Sequence, residues 1–285
     1  MSQAQTSVGQ QKMIQRILFP VDFSPACAGM AAFVRRAADL FGAEVTLLHV
    51  CDLMSHDGFE LYIRSPQEVA ETHRSVAGYQ LDSFLECEFP GTGCHRLLRS
   101  GDATAEIVEA AKNGQFDLIV MPTHAGTFRR MLLGSTTAKV LDQADCPVLT
   151  TQHAETAILR PLDHRMWLCA LSLGSDSERV LCVASRAAAQ AQAKLTVVHV
   201  IDSDASIELV GQEARRLNEL LKKVGCQAAI DVPVGPTKEA ILKAAQRCAA
   251  DVIFIGRPLS SGVLGRIRDL TYEVVRDAPC PVLSV

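Results

Sequence analysis

An α/β fold built from two tandem five-stranded parallel-sheet domains, Rossmann-like in architecture, is predicted by three observations. The chain repeats itself. Leu47-Leu48-His49-Val50 returns 150 residues later as Val197-Val198-His199-Val200, and Cys146-Pro147-Val148-Leu149 returns 134 residues later as Cys280-Pro281-Val282-Leu283. Short apolar runs alternate with helix-length amphipathic stretches in each copy, which is the pattern of repeated βα units. The apolar runs are near-continuous, which marks strands buried on both faces of a parallel sheet. The two offsets differ by sixteen, so the first copy carries sixteen extra residues between Val50 and Asp117. The polar segment Asp52 to Ser65, with its Gly and His, is the expected place, and its position after the second strand suits a lid over a site. A surface loop without function is the competing reading.

The elements follow in order. Arg16 to Asp22 reads as the first strand. Ser24 can cap the next helix with Pro25 at its first position, and Gly42 ends it after Met30, Phe33, Val34, Ala37, Leu40 and Phe41 at helical spacing. Glu44 to Val50 is the second strand. Ser65-Pro66-Gln67-Glu68 has the form of a capping box. A third strand near His95 to Arg99, a helix over Ala103 to Asn113, a fourth strand over Phe116 to Met121, a helix from Gly134-Ser135 to Gln143 and a short strand after Pro147 complete the copy. The boundaries are a first domain over 1–151, a linker over 152–164 containing Pro161, and a second domain over 165–285.

Composition narrows the class. Of 285 residues, 48% are hydrophobic and 21% charged, which supports a packed core. A net charge of −4, spread along the chain, argues against nucleic acid or an anionic membrane as partner. Met1 to Gln11 has no apolar run, so no signal peptide is read, and no stretch suits a membrane helix; a cytoplasmic protein without membrane insertion is expected. The ten cysteines include no Cys-x-x-Cys pair. Cys27, Cys169, Cys182 and Cys248 read as packing residues, and Cys87, Cys94 and His95 fit no common zinc spacing.

Ligands of an open parallel sheet sit beyond the carboxyl ends of its strands. In the first copy Pro20-Val21-Asp22, His49-Val50 and the segment from Met121 to Ser135 fall there. Phe19-Pro20-Val21-Asp22-Phe23-Ser24 resembles the opening of universal stress protein domains. Met121-Pro122-Thr123-His124, the run Leu132 to Leu141 and Cys146-Pro147-Val148-Leu149 resemble their closing half. The likeness covers both copies and implies the adenine nucleotide alpha hydrolase-like form of the fold. It also implies an intramolecular pseudo-dimer, because in that family the last strands pair across a two-fold interface.

The resemblance further implies a nucleotide site, for ATP with Mg or for AMP. Its roles fall on Pro20, Val21 and Asp22 after the first strand, Val50 at the adenine, and Met121, Thr123, His124, Gly126, Gly134, Ser135 and Thr136 around the phosphates. Nucleotide-binding members carry a loop G-x-x-G-x9-G-[S/T], whose glycines admit a triphosphate to a helix N-terminus. Here Pro122 and Ala125 replace the first two glycines, and the loop is one residue shorter. The site therefore binds ATP weakly, binds a smaller nucleotide such as AMP, or is empty.

The second copy has Ser172 for Asp22, Leu259 for the second glycine and Asp269-Leu270 where Gly-Ser is expected, with Arg257, Arg266 and Arg268 as alternative anion holders. Asp22 can equally cap its turn. His49 and His199, at equivalent strand ends, suggest a shared structural hydrogen bond more than catalysis. Three functions remain open: a stress-response regulatory module acting through an unknown protein partner, a ligand-free scaffold, and a slow ATPase using His124. A homodimer is compatible with each.

Overall fold

A computed structural model describes residues 13–51, 65–90, 93–123, 133–152, 164–201, 206–257 and 265–285. In β1 (Arg16–Pro20) only the first residue is exposed. The Ser24 hydroxyl accepts the Cys27 N–H and caps α1 (Pro25–Phe41), whose buried Met30, Val34 and Phe41 face the sheet. Gly42 then turns the chain at φ 59°, a conformation glycine adopts without a Cβ clash. β2 (Glu44–Cys51) leads to α2 (Pro66–Ser83). There the capping box is complete: Ser65 accepts from the Glu68 N–H, and the Glu68 carboxylate accepts from the Ser65 N–H.

β3 (Cys94–Ser100), α3 (Ala103–Asn113), β4 (Leu118–Pro122), α4 (Ser135–Gln143) and β5 (Val148–Thr151) finish the first copy. The fourth strand starts two residues later than its apolar run suggests. The Phe116 N–H donates to Ala111 O, and the Asp117 carboxylate accepts the Gln15 and Arg16 N–H groups, so both residues belong to the turn.

The second copy runs β6 (Met166–Ala170), α5 (Ser177–Ala191), β7 (Lys194–Val198), α6 (Ile207–Val224), β8 (Ala229–Asp231), α7 (Thr237–Arg247), β9 (Val252–Ile255), α8 (Gly265–Asp277) and β10 (Val282–Ser284). Details recur at equivalent positions. Phe23 and Leu173 take φ 61° and 54°, and Gln115 and Ala249 take φ 50° and 48°. Left-handed backbone at non-glycine residues is uncommon, so its recurrence reflects a shared chain path.

All ten strands form one sheet in the order β3-β2-β1-β4-β5-β10-β9-β6-β7-β8. Each half is parallel, and the halves meet at the antiparallel pair β5–β10. In that pair Val148 faces Ser284, Leu149 faces Leu283, and Thr150 faces Val282. A pseudo-two-fold axis therefore passes through Leu149 and Leu283. The core crosses the same junction: Trp167 of the second copy packs 6.2 Å from Phe41 and 5.4 Å from Phe254, ring centre to ring centre. Each copy thus covers the other's last strand edge, as the pseudo-dimer requires.

The sixteen extra residues do not all lie between β2 and α2. Ser65 and Ser206 cap equivalent helices, while β3 and β8 pair with equivalent positions of β2 and β7. Nine of the sixteen therefore precede α2, and seven lie between α2 and β3, within Phe84 to Gly93. Of the lid expected over Asp52 to Ser65, residues 52–64 lie outside the described residues. The second insertion is placed: Phe84 packs edge-on against Phe23 at 5.3 Å, and Phe23 stacks on His49 at 4.2 Å.

Candidate functional site

The strand order of the first copy reverses between β1 and β4, which opens a crevice at their carboxyl ends. The cavity there measures about 490 Å³. Its walls come from the ends of three strands: Pro20, Val21 and Asp22 after β1, Leu48, His49 and Val50 on β2, and Met121 and Pro122 on β4. Gly134, Ser135, Thr136 and Thr137 at the start of α4 close one end.

The local reasons are readable. Asp22 is exposed, and its Oδ1 accepts the Ser24 N–H at 3.0 Å, which tightens the turn into α1. His49 Nδ1 lies 2.8 Å from Val21 O; a carbonyl only accepts, so this nitrogen carries the proton. The bond ties the end of β2 to the end of β1 directly at the pocket wall. Across the crevice, the Gly134 N–H donates to Thr123 O at 2.7 Å and closes the base of the loop between them. Thr137 Oγ1 donates to Pro122 O at 3.0 Å and pins the first turn of α4 to β4. Gly134, the N-cap, has no side chain to cap the helix, and the first turn of α4 lines the cavity.

Of the residues expected from sequence, Pro20, Val21, Asp22, Val50, Met121, Gly134, Ser135 and Thr136 all line this cavity. Thr123 does not. It is 1% exposed, and its hydroxyl donates to Thr151 O at 3.4 Å, inside the sheet. His124 and Gly126 lie outside the described residues. Sequence reasoning missed Ala103 and Ile107, which bring the start of α3 to the wall. The signal for them was present in Gly101-Asp102, a turn and helix cap just beyond the third strand, where Asp102 accepts the Ala105 N–H.

The second copy has a cavity of about 470 Å³ in the equivalent place, lined by Leu171, Ser172, His199, Gly256 and Thr271 among others. His199 Nδ1 lies 2.9 Å from Leu171 O, the counterpart of the His49 bond, and Thr271 Oγ1 donates to Gly256 O at 3.1 Å, the counterpart of the Thr137 bond. The Thr137–Thr271 equivalence corrects the register at the phosphate end. Arg268-Asp269, one residue earlier than the loop spacing suggests, match Gly134-Ser135. Moreover α8 starts at Gly265, four residues before that point, so its N-terminus is displaced by about 6 Å. Gly256 survives for a packing reason, since a Cβ there would stand 3.1 Å from Val180.

Arg257 lines the second cavity, but both of its terminal nitrogens turn to the first copy. Arg257 is 9% exposed; its Nη1 donates to Leu141 O at 2.7 Å and its Nη2 to Cys146 O at 2.8 Å, both in the first copy. Burial brings its pKa down to about 10, which leaves it charged at neutral pH. The side chains of Arg266 and Arg268 lie outside the described residues.

Comparison with known proteins agrees with this architecture. The model of the universal stress protein family matches residues 13–152 and again 167–285. The chain belongs to the universal stress protein family, with two copies of its domain in tandem. It is 30% identical over 159 residues to the universal stress protein MJ0577 of Methanocaldococcus jannaschii, covering 49% of this chain and 96% of that one. It is 32% identical over 145 residues to a universal stress protein of Thermus aquaticus, covering 48% and 98% respectively. Among solved structures, a universal stress protein from Archaeoglobus fulgidus superposes with a TM-score of 0.68 at 23% identity, over 95% of this chain and 97% of that one. Among the described residues no helix is long and apolar enough to cross a membrane.

Proposed function

We propose that the first copy is the nucleotide-responsive half of a stress-response regulatory module that acts through a protein partner. In this reading the cavity between β1 and β4 takes AMP or ATP. Asp22 faces the ribose, the backbone at Val50 meets the adenine, and the N-terminus of α4 at Gly134, Ser135 and Thr136 faces the phosphates. Mg would accompany ATP and would be held by the phosphates. The observation that carries the reading is the convergence of Pro20–Asp22, Val50 and Gly134–Thr136 on one cavity at the strand-order switch.

The competing reading, a scaffold without ligand, draws on two features. Pro122 offers no N–H to a phosphate, and the Thr123 hydroxyl is turned into the sheet. A slow ATPase would rest on His124, outside the described residues. The deciding experiment is mass spectrometry of small molecules released from freshly purified protein, with calorimetric titration of AMP and ATP. Near one nucleotide per chain, or saturable binding at one site, supports the nucleotide reading. Neither retained nucleotide nor binding at millimolar AMP and ATP leaves the scaffold.

A further inference from the structure

The second copy reaches α4 of the first from two places. Arg257, at the end of β9, donates to Leu141 O in the last turn of that helix and to Cys146 O just beyond it. The last-turn carbonyls of a helix lack intrahelical partners and carry the negative end of its dipole, so a buried guanidinium is well matched to them. Arg257 is itself fixed by its own N–H, which donates to Val285 O at 2.7 Å beside β10. Tyr272, on α8, sets its hydroxyl 2.6 Å from Asp142 Oδ1 and 3.2 Å from Ala138 O, along the same helix.

The residues that make this grip have no like counterparts in the first copy. The repeat equates Arg257 with Thr123 and Tyr272 with Ala138. Thr123 is a short side chain whose hydroxyl donates to Thr151 O, and Ala138 carries only a methyl group. The second copy therefore carries an arginine where the first carries a threonine turned into its own sheet. It uses that arginine to hold the helix whose other end closes the first cavity. α4 has nine residues, about 13 Å, so a shift at its C-terminus is passed to Gly134–Thr136 with little damping.

We infer that the second copy serves as a brace for the first site, with Arg257 and Tyr272 as positioning residues that aim the N-terminus of α4 into the cavity. The inference rests on the reading of that cavity as a nucleotide site, but its first test does not. Hydrogen–deuterium exchange of the full chain is measured over residues 133–143 in the wild type, Arg257→Met, Arg257→Lys and Tyr272→Phe, with chemical denaturation to track global stability. Arg257→Met should speed exchange in α4 by about tenfold, as expected for loss of charged hydrogen bonds, with α3 unchanged. Arg257→Lys, which keeps the charge but not the fork, should fall between.

Tyr272→Phe removes one hydroxyl, keeps the ring, and should speed α4 exchange about threefold even if Arg257→Met fails to fold. Unchanged α4 exchange in Tyr272→Phe and in the folded Arg257 variants would overturn the brace. Titration of AMP then separates the two claims. A wild type that binds AMP, with Kd raised at least fivefold in the Arg257 variants, supports positioning; equal Kd overturns it. A wild type that binds neither AMP nor ATP removes the nucleotide reading and leaves the exchange result to decide the brace.

Discussion

Leu149 and Leu283 face one another directly across the β5–β10 pair, and each is the other's counterpart in the sequence repeat. A residue that meets its own equivalent marks a two-fold axis, here inside one chain. Both are buried, at 8% and 4% exposure. Replacing either by Ala should cost about 2–5 kcal/mol in urea denaturation. The double variant should cost less than the sum, because the two share one cavity. Strict additivity would mean that the copies pack independently.

The twin histidines should behave alike. His49→Phe keeps an aromatic ring for Phe23 to stack on but deletes the bond to Val21 O, leaving that carbonyl short of a donor. A loss of about 1–2 kcal/mol is expected, and a similar loss for His199→Phe at Leu171 O. Unequal losses would trace to Glu213, whose Oε2 lies 3.7 Å from His199 Nε2.

Asp22→Ala separates ligand binding from turn capping. The exposed side chain accepts the Ser24 N–H and lies beside the Cys27 thiol, so stability should fall by about 1 kcal/mol. Calorimetric affinity for AMP or ATP should fall at least tenfold if the carboxylate meets the ribose.

Ser135→Asp places in the first copy the residue that the second carries at the equivalent position. An acidic group in the first turn favours the helix dipole, so stability should hold or rise by about 0.3–1 kcal/mol. Nucleotide binding should be abolished by repulsion of phosphate. Retained affinity in this variant would count against phosphate contact at α4.

Thiol labelling should rank the cysteines by burial. Burial pushes the Cys146 thiol up to about 11 even though the Arg257 charge nearby draws it down. At pH 8 about one in a thousand of these thiols is ionised, and its labelling rate should rise about tenfold per pH unit. Cys87 is exposed and should label first; Cys27 and Cys169, buried with thiols pushed higher still, should label last.

Much of this was legible in the chain because local signals and global fold agree. Ser24-Pro25 and Gly42 bracket α1 as caps do, Ser65 to Glu68 forms its capping box, and Ala103 to Asn113 is a helix over the expected span. Eight residues proposed for the site meet at one cavity because strand ends in a parallel sheet all point to the same edge. Thr123 failed for a reason of the same kind. Side chains alternate across a strand, and its hydroxyl found the Thr151 carbonyl of the neighbouring strand.

The repeat, the βα alternation, the caps and the strand-end motifs were determined by the sequence alone, since each depends on neighbours a few residues away or on a comparison of the chain with itself. The division of the sixteen extra residues, the displaced start of α8 and the grip of Arg257 on α4 were decided by the tertiary structure. Arg257 stands more than a hundred residues from Leu141. It looks like an anion holder until β5 and β10 pair and bring it to carbonyls at the end of another domain's helix. Hydrogen-bond partners of a long side chain are set by what packing brings within 3 Å, and separation along the chain carries no record of that.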